Sequence, residues 1–314
     1  MRIAFTSCMD ATRDSQQTSW GVMAEQRPDH IVLLGDSIYM DYGLGEHVPN
    51  GGPRHMSLAA FSALMYSGYV LQWEVASFRR AIGAPTVYAI WDDHDFAWDN
   101  SRGGEPVAGD PTGVAPECRR LSRALFEQFR QALRDKPAAY PANPYNDGLV
   151  PHDLGGIQQT VVLSDTIHLH LLDGRSFRGV AGRDSSLLGL AQRHRLGSDL
   201  LAEPGVNLLA SGTTLKDWRK YGDYRWLRDQ AEHRRLLVLS GDVHEPDFRS
   251  NGRLHEATAS AMAQPPGLTA FLGKQSDVFG LLDIDAQKIV VSLWHRGRKE
   301  QEHAIDLNTW ASDV

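Results

Sequence analysis

Four short polar clusters in this 314-residue chain carry side chains able to hold metal ions: Cys8-Met9-Asp10, Gly35-Asp36-Ser37-Ile38-Tyr39, Asp92-Asp93-His94-Asp95 and Gly241-Asp242-Val243-His244. Together they offer thiolate, phenolate, carboxylate and imidazole, a count sufficient for two ions. Phenolate and thiolate are strong anionic donors that favour a harder, higher-valent ion such as ferric iron over magnesium. Carboxylates suit an oxygen-loving second ion such as Ca²⁺, Mn²⁺ or Mg²⁺. Two ions about 3.5–4 Å apart generate hydroxide at neutral pH and clamp an in-line phosphoryl displacement. The mixed ligand set therefore fits phosphoester hydrolysis.

Each cluster terminates a short apolar run, at residues 3–6, 30–34, 86–91 and 235–239. Runs of this length rich in Ile, Val and Leu predict buried strands. Residues 15–27 and 58–82 predict helices between the first three, so the chain alternates strand and helix and reads as an α/β layered protein. In such folds ligands gather at the carboxyl ends of the strands, which is where the Asp, His and Cys residues stand. Further along, residues 117–134, 188–201 and 223–233 predict helices. Residues 157–164, 166–173, 206–210, 278–284 and 288–294 predict strands. Residues 102–116, rich in Gly and Pro, and 137–156 predict loops, the first placed to act as a lid. No repeat, linker or low-complexity tract divides the sequence, so residues 1–314 are expected to form one domain.

Composition narrows the function classes. Apolar residues at 42% and charged residues at 23% are ordinary for a globular protein. No run of about 18 apolar residues is present, so no membrane span is expected. The strand pattern begins at Arg2, leaving no signal peptide; a cytoplasmic protein is expected, or a periplasmic or extracellular one if a leader was trimmed. Two cysteines exclude a disulfide framework. With 32 Lys+Arg against 39 Asp+Glu and a net charge of -7, no nucleic-acid-binding surface is evident.

In order and spacing, the four clusters resemble the blocks of the calcineurin-like metallophosphoesterase superfamily, namely D-x-H, G-D-x-x-D/Y, G-N-H-D/E and G-H-x-H. The departures match its alkaline phosphatase D (PhoD-like) family, which carries Ser-Cys near its start, G-D-x-I-Y, W-D-D-H-E and S-G-D-V-H. Leu172-Asp173-Gly174-Arg175, Ser211-Gly212-Thr213-Thr214 and the Trp218 region extend the match, whose order holds over residues 5–260. The resemblance implies a four-layer αββα sandwich with a dinuclear metal site at the strand carboxyl ends. It implies that Asp36 bridges the ions and that Cys8, Tyr39 and His244 bind Fe³⁺, with Asp10 as ligand or close behind. Asp93 and Asp242 would bind the second ion, Ca²⁺, with Mn²⁺, Mg²⁺ or Zn²⁺ as alternatives. His94 would be the general acid, with Asp95 (Glu in the family) fixing its tautomer and raising its pKa, and Arg175 would stabilise phosphate charge. Asp99-Asn100 stand where relatives carry an Asn-Asn pair. The implied partner is a small phosphorylated substrate, diester or monoester. A phosphatase of nucleotides or other phosphometabolites is a second reading. A phospholigand-binding pseudo-enzyme is a third, disfavoured because His94, Asp95 and Asp36 are all present.

Other residues have plainer readings. Cys118 on a helix is expected to be core packing. His168 and His170, two apart on one strand face, are expected to be core or solvent-facing. His255 follows the last block and could approach the site. Trp91 and Trp98 flank the acidic cluster, and Asp173 with Arg175 could form a structural ion pair.

Overall fold

The structure, a computed structural model, describes residues 1–41, 53–150, 152, 155–202, 205–263 and 277–314. Its first sheet contains β1 (Arg2–Thr6), β2 (His30–Leu34), β3 (Thr86–Ile90), β10 (Val278–Ile284), β11 (Lys288–His295) and β12 (Arg298–Asp306). These are ordered β12-β11-β10-β1-β2-β3. The second contains β4 (Gln159–Ser164), β5 (Ile167–Leu171), β6 (Val206–Ser211), β7 (Arg235–Ser240), β8 (Pro246–Asn251) and β9 (Leu254–Ala259), ordered β4-β5-β6-β7-β9-β8. Strands β1, β2 and β3 pair in parallel, as do β5, β6, β7 and β9. The sheets face each other, with β2 against β6, β3 against β5 and β10 against β9.

Helices cover both outer faces. On the first sheet lie α1 (Ser19–Glu25), α2 (Leu58–Glu74), α3 (Ala76–Ala81) and α5 (Pro116–Asp135). On the second, α6 (Leu190–Ala202), α7 (Leu215–Trp218) and α8 (Asp223–Ala231) enclose a smaller apolar cluster with Leu209, Leu236 and Val238. This is the four-layer αββα sandwich. With neighbours on both faces, β1, β2, β6 and β7 are buried almost throughout, which is why they are legible as continuous apolar runs rather than alternating ones.

Three strands and one helix break depart from expectation. β8 and β12 are edge strands that carry charge, as in Pro246-Asp247-Phe248-Arg249 and Arg298-Lys299-Glu300. Charged residues and proline protect an edge from pairing with another chain and also erase the apolar signal. β9 is buried despite His255 and Glu256, because Glu256 accepts hydrogen bonds from Leu215 N and Ser240 Oγ. The expected helix over 58–82 divides into α2 and α3 at Val75, whose ψ of 108° is extended. The expected loop at 137–156 lies partly outside the described residues.

Candidate metal centre

The strand ends are fastened together before any side chain reaches the site. Beyond β1, Cys8 N donates to Gly35 O at 3.1 Å and Met9 N to Asp36 O at 2.8 Å. Beyond β3, Asp92 caps the single turn α4 (Asp93–Phe96) in a capping box with Asp95. Four candidate ligands sit in the left-handed region: Cys8 (φ 57°), Asp36 (51°), Asp242 (75°) and His244 (59°). Such backbone costs about 1–3 kcal/mol per non-glycine residue and persists where the surroundings impose it, commonly at functional sites. Two glycines let the loops close in. A Cβ on Gly35, itself at φ +100°, would meet Asp92 N at 2.6 Å, and one on Gly212 would meet Asp92 Cγ at 2.5 Å.

One ligand atom each from Asp36, Asp92, Asp93 and Asp242 lies within 4.8 Å of the others, and the same holds for Asp36, Asp93 and His94. Cys8 approaches the shared residue from the other side, its Sγ 3.4 Å from Asp36 Oδ2. The sulfur also has Ser260 Oγ at 3.2 Å and Ser7 Oγ at 3.3 Å. Cys8, Tyr39 and Ala261 are packed together, and the Tyr39 ring lies 4.3 Å from that of His94. Asp36 is thus the common member of a carboxylate group and a Cys-Tyr group.

The electrostatics call for a cation. Burial, then Cys8 and Asp93, push the Asp36 carboxyl well above its ordinary range. Burial, then Asp92 and Asp93, push Asp242 to about 7. Burial also opposes ionisation of Asp93, but Arg175, His94 and the Asn100 N–H outweigh it and hold the group at about 2. Burial raises the Cys8 thiol to about 11 and the Tyr39 phenol well above 10. Asp92 Oδ2 is buried and has no hydrogen-bond partner among the described residues. A buried carboxylate oxygen left so is costly, and a metal ion supplies what it lacks. The donors present, several carboxylates with a thiol and a phenol beside them, fit such an ion.

Several expected roles change in the fold. The Asp95 oxygens are turned to backbone, accepting Ile38 N and Asp92 N, each at 3.1 Å. This holds the β2 and β3 loops together. The carboxylate on the His94 ring is Asp41, whose Oδ1 is 2.6 Å from Nδ1, while its Oδ2 accepts Asp99 N at 2.7 Å. Burial alone would depress the His94 imidazole, but Asp36, Asp41 and Asp93 raise it to about 10. Since carboxylates only accept, Nδ1 carries a proton. Arg175 is 2% exposed and already engaged: Nε donates to Asp92 Oδ1 at 2.6 Å, Nη2 lies 3.3 Å from Asp93 Oδ1, and Nη1 donates to Ser101 O at 3.3 Å. It neutralises the carboxylate group rather than pairing with Asp173, which accepts Trp91 Nε1, Ile157 N and Arg175 N.

Asp10 and His244 lie outside the convergent groups. Asp10 accepts Thr12 N at 2.9 Å and faces Arg13 Nε at 3.4 Å, and His244 N donates to Ser260 Oγ. Asn100 N donates to Asp93 Oδ2 at 2.6 Å, so Asn100 acts here through its backbone. The sequence reading passed over three residues. Asp92 adjoins a chosen ligand. Asp41 lies two positions after Tyr39 and was legible only as another acid. Arg178 stacks on Tyr221 at 5.1 Å, donates to Thr213 Oγ1, helps hold Asp93 ionised and opposes the rise that burial imposes on Asp92.

The remaining candidates resolve as structure. The 102–116 loop is pinned by Gly103 N to Arg175 O, Gly104 N to Arg178 O and the Arg102–Asp110 ion pair, so it is fastened beside the site rather than hinged over it. His255 is buried on β9 beside Trp310, with Nε2 3.2 Å from Trp310 O. Trp91 and Cys118 belong to the main core.

The likeness to known proteins is one of family and of fold. A family model described as PhoD-like phosphatase matches residues 3–220. No curated protein matches the sequence at a significant level. A solved structure of PhoD is 16% identical with a TM-score of 0.69, covering 100% of this chain and 71% of that one; at that identity the likeness is one of fold. The protein TT1561 of Thermus thermophilus is 11% identical with a TM-score of 0.43, over 95% of this chain and 99% of that one. Among the described residues no helix is long and apolar enough to cross a membrane.

Proposed function

The chain belongs to the PhoD-like phosphatase family and is a metal-dependent phosphoester hydrolase, and from that premise we propose how its own residues do the work. The substrate is a small phosphodiester or phosphomonoester, cleaved by in-line displacement at phosphorus. The observation that carries this reading is the convergence of Asp36, Asp92, Asp93 and Asp242 with His94 beside them.

Asp36 would be shared by both ions. Cys8 and Tyr39, joined by His244, would hold Fe³⁺, with Asp10 behind them. Asp93 and Asp242, backed by Asp92, would hold the second ion, Ca²⁺ or another divalent cation. When bound, the ions would neutralise phosphate oxygens and lower the pKa of water enough to make hydroxide available near neutral pH. His94 donates a proton to the leaving oxygen, its ring oriented by Asp41 in the place the sequence reading gave to Asp95. Arg175 keeps Asp93 ionised, opposes the rise that burial imposes on Asp92 and holds both in place, and Arg178 adds positive potential for an anionic substrate.

Metal analysis and visible absorbance test the ligand assignment. Phenolate or thiolate on ferric iron gives a charge-transfer band, and Tyr39→Phe shifts it. A colourless, iron-free protein with full activity refutes the iron. Turnover of bis-nitrophenyl phosphate against mono-nitrophenyl phosphate reads the substrate class, and an unchanged rate in His94→Ala removes His94 as the acid.

A further inference from the structure

A second polar cavity, of about 250 Å³, opens between α6 and the β4–β5 edge on the outer side of the second sheet. None of the candidate metal ligands lines it. Its base is a chain of close polar contacts: Thr160 Oγ1 donates to Asp199 Oδ2 at 2.7 Å and lies 3.0 Å from Nδ1 of the buried His170, whose Nε2 is 2.9 Å from Asn207 Oδ1.

Its wall carries one charge of each sign. Arg195 and Asp199 stand one helical turn apart on α6 and both face the cavity. At that spacing an ion pair is within reach, yet Arg195, an exposed residue, makes no ion pair or side-chain hydrogen bond among the described residues, and its fork of donors is free for a carboxylate. Asp199 keeps an oxygen beyond the one that accepts Thr160. Leu172 and Leu196, from the cluster beneath α6, supply apolar wall, and no Phe, Tyr or Trp is among the described lining residues. A site without a ring platform does not stack a base or a sugar, whereas opposed charges beside an apolar wall match a molecule carrying both signs.

The cavity also touches the catalytic scaffold. Gln192, 2% exposed, forms part of its wall and grips Asp173 by both backbone groups, accepting from Asp173 N and donating to Asp173 O, each at 2.8 Å. Two residues on is Arg175, which holds Asp92 and Asp93.

We propose that this cavity is a regulatory binding site for a free α-amino acid. The carboxylate sits on Arg195, the ammonium on Asp199 and the side chain against the leucines, and occupancy is felt at the metal centre through Gln192, Asp173 and Arg175. The regulatory half rests on the proposed hydrolase function; the binding half does not.

Thermal melts of the full chain with L-leucine, L-glutamine and L-glutamate test the binding half. Acetate and ethylammonium, each carrying one charge only, serve as controls. At about ten times Kd, binding raises Tm by about 2 °C. The rise is lost in both Arg195→Ala and Asp199→Asn, whose ligand-free melts stay near the parent. No shift with any of the three amino acids up to about 10 mM, an equal shift in both variants, or the same shift with acetate alone overturns the site. Bis-nitrophenyl phosphate turnover then changes at least about twofold at saturating amino acid. A Tm shift with unchanged turnover overturns the regulatory half. A protein that binds an amino acid but hydrolyses no phosphoester refutes the proposed function and leaves the binding site standing.

Discussion

Arg175→Met separates two roles for one guanidinium. In the structure Arg175 is buried and holds Asp92 at 2.6 Å and Asp93 at 3.3 Å. Removing one partner of a buried charge pair costs about 3–5 kcal/mol, because the other charge is left uncompensated. An unfolding entropy of about 2.1 cal/mol/K per residue over 314 residues turns this into a Tm loss of about 5–8 °C for the metal-free protein. Bound metal takes over part of the compensation, so the loss is smaller in the loaded enzyme. Adding Asp92→Asn removes the stranded charge and recovers part of the loss, giving a coupling of about 1 kcal/mol or more in the double-mutant cycle. Calorimetry with chelator and with metal measures both, and steady-state kinetics is run on the same samples. If metal-free Tm changes by less than about 2 °C while KM rises about tenfold at constant kcat, the reasoning fails. Arg175 is then a substrate-binding residue, as the sequence alone suggests.

Three further outcomes follow from the same geometry. Asp41→Asn lowers kcat by about tenfold or more, part of the about 10²–10⁴ that general acid catalysis supplies as a whole, with KM and Tm little changed. Asp95→Asn mainly lowers Tm, and the opposite pattern in the two variants reinstates Asp95 as the partner of His94. Gly212→Ala forces a Cβ to within 2.5 Å of Asp92 Cγ, so denaturant melts show a loss of about 1–3 kcal/mol. Burial lowers the His255 imidazole below its ordinary 6.5 despite the Trp310 carbonyl, so the unfolded chain takes up its proton first. Stability is therefore present above about pH 6.5 and declines as pH falls through that value. His255→Gln flattens the change in Tm between about pH 7.5 and 5.5, and an equal slope in the variant excludes His255 as its source.

Much of the fold was legible because its central strands are buried on both faces. The runs ending at Thr6, Leu34 and Ser240 announce themselves by composition, and the Asp, Cys and His residues following them mark the functional edge of the sheets. Of the three strands that escaped notice, β8 and β12 are edges whose exposure requires charge, and β9 hides its burial behind His255 and Glu256. The division at Val75 has no glycine or proline to signal it. His168 and His170 are buried on β5, one of the two readings their spacing leaves open, and their place beneath α6 depends on how α6 packs over β5.

Which residues could do chemistry was fixed by local sequence, since a strand end presents whatever side chains follow it. Which of them act together was decided only by tertiary structure. Asp95 is one residue from His94 in sequence, yet its carboxylate is drawn to the backbone of Ile38 and Asp92 by the turn it caps. Asp41, 53 residues away, reaches the imidazole instead. Arg175 comes from the other sheet, 83 residues from Asp92, because β3 and β5 are stacked face to face. Charge partners are selected by distance and burial, and neither can be read along the chain.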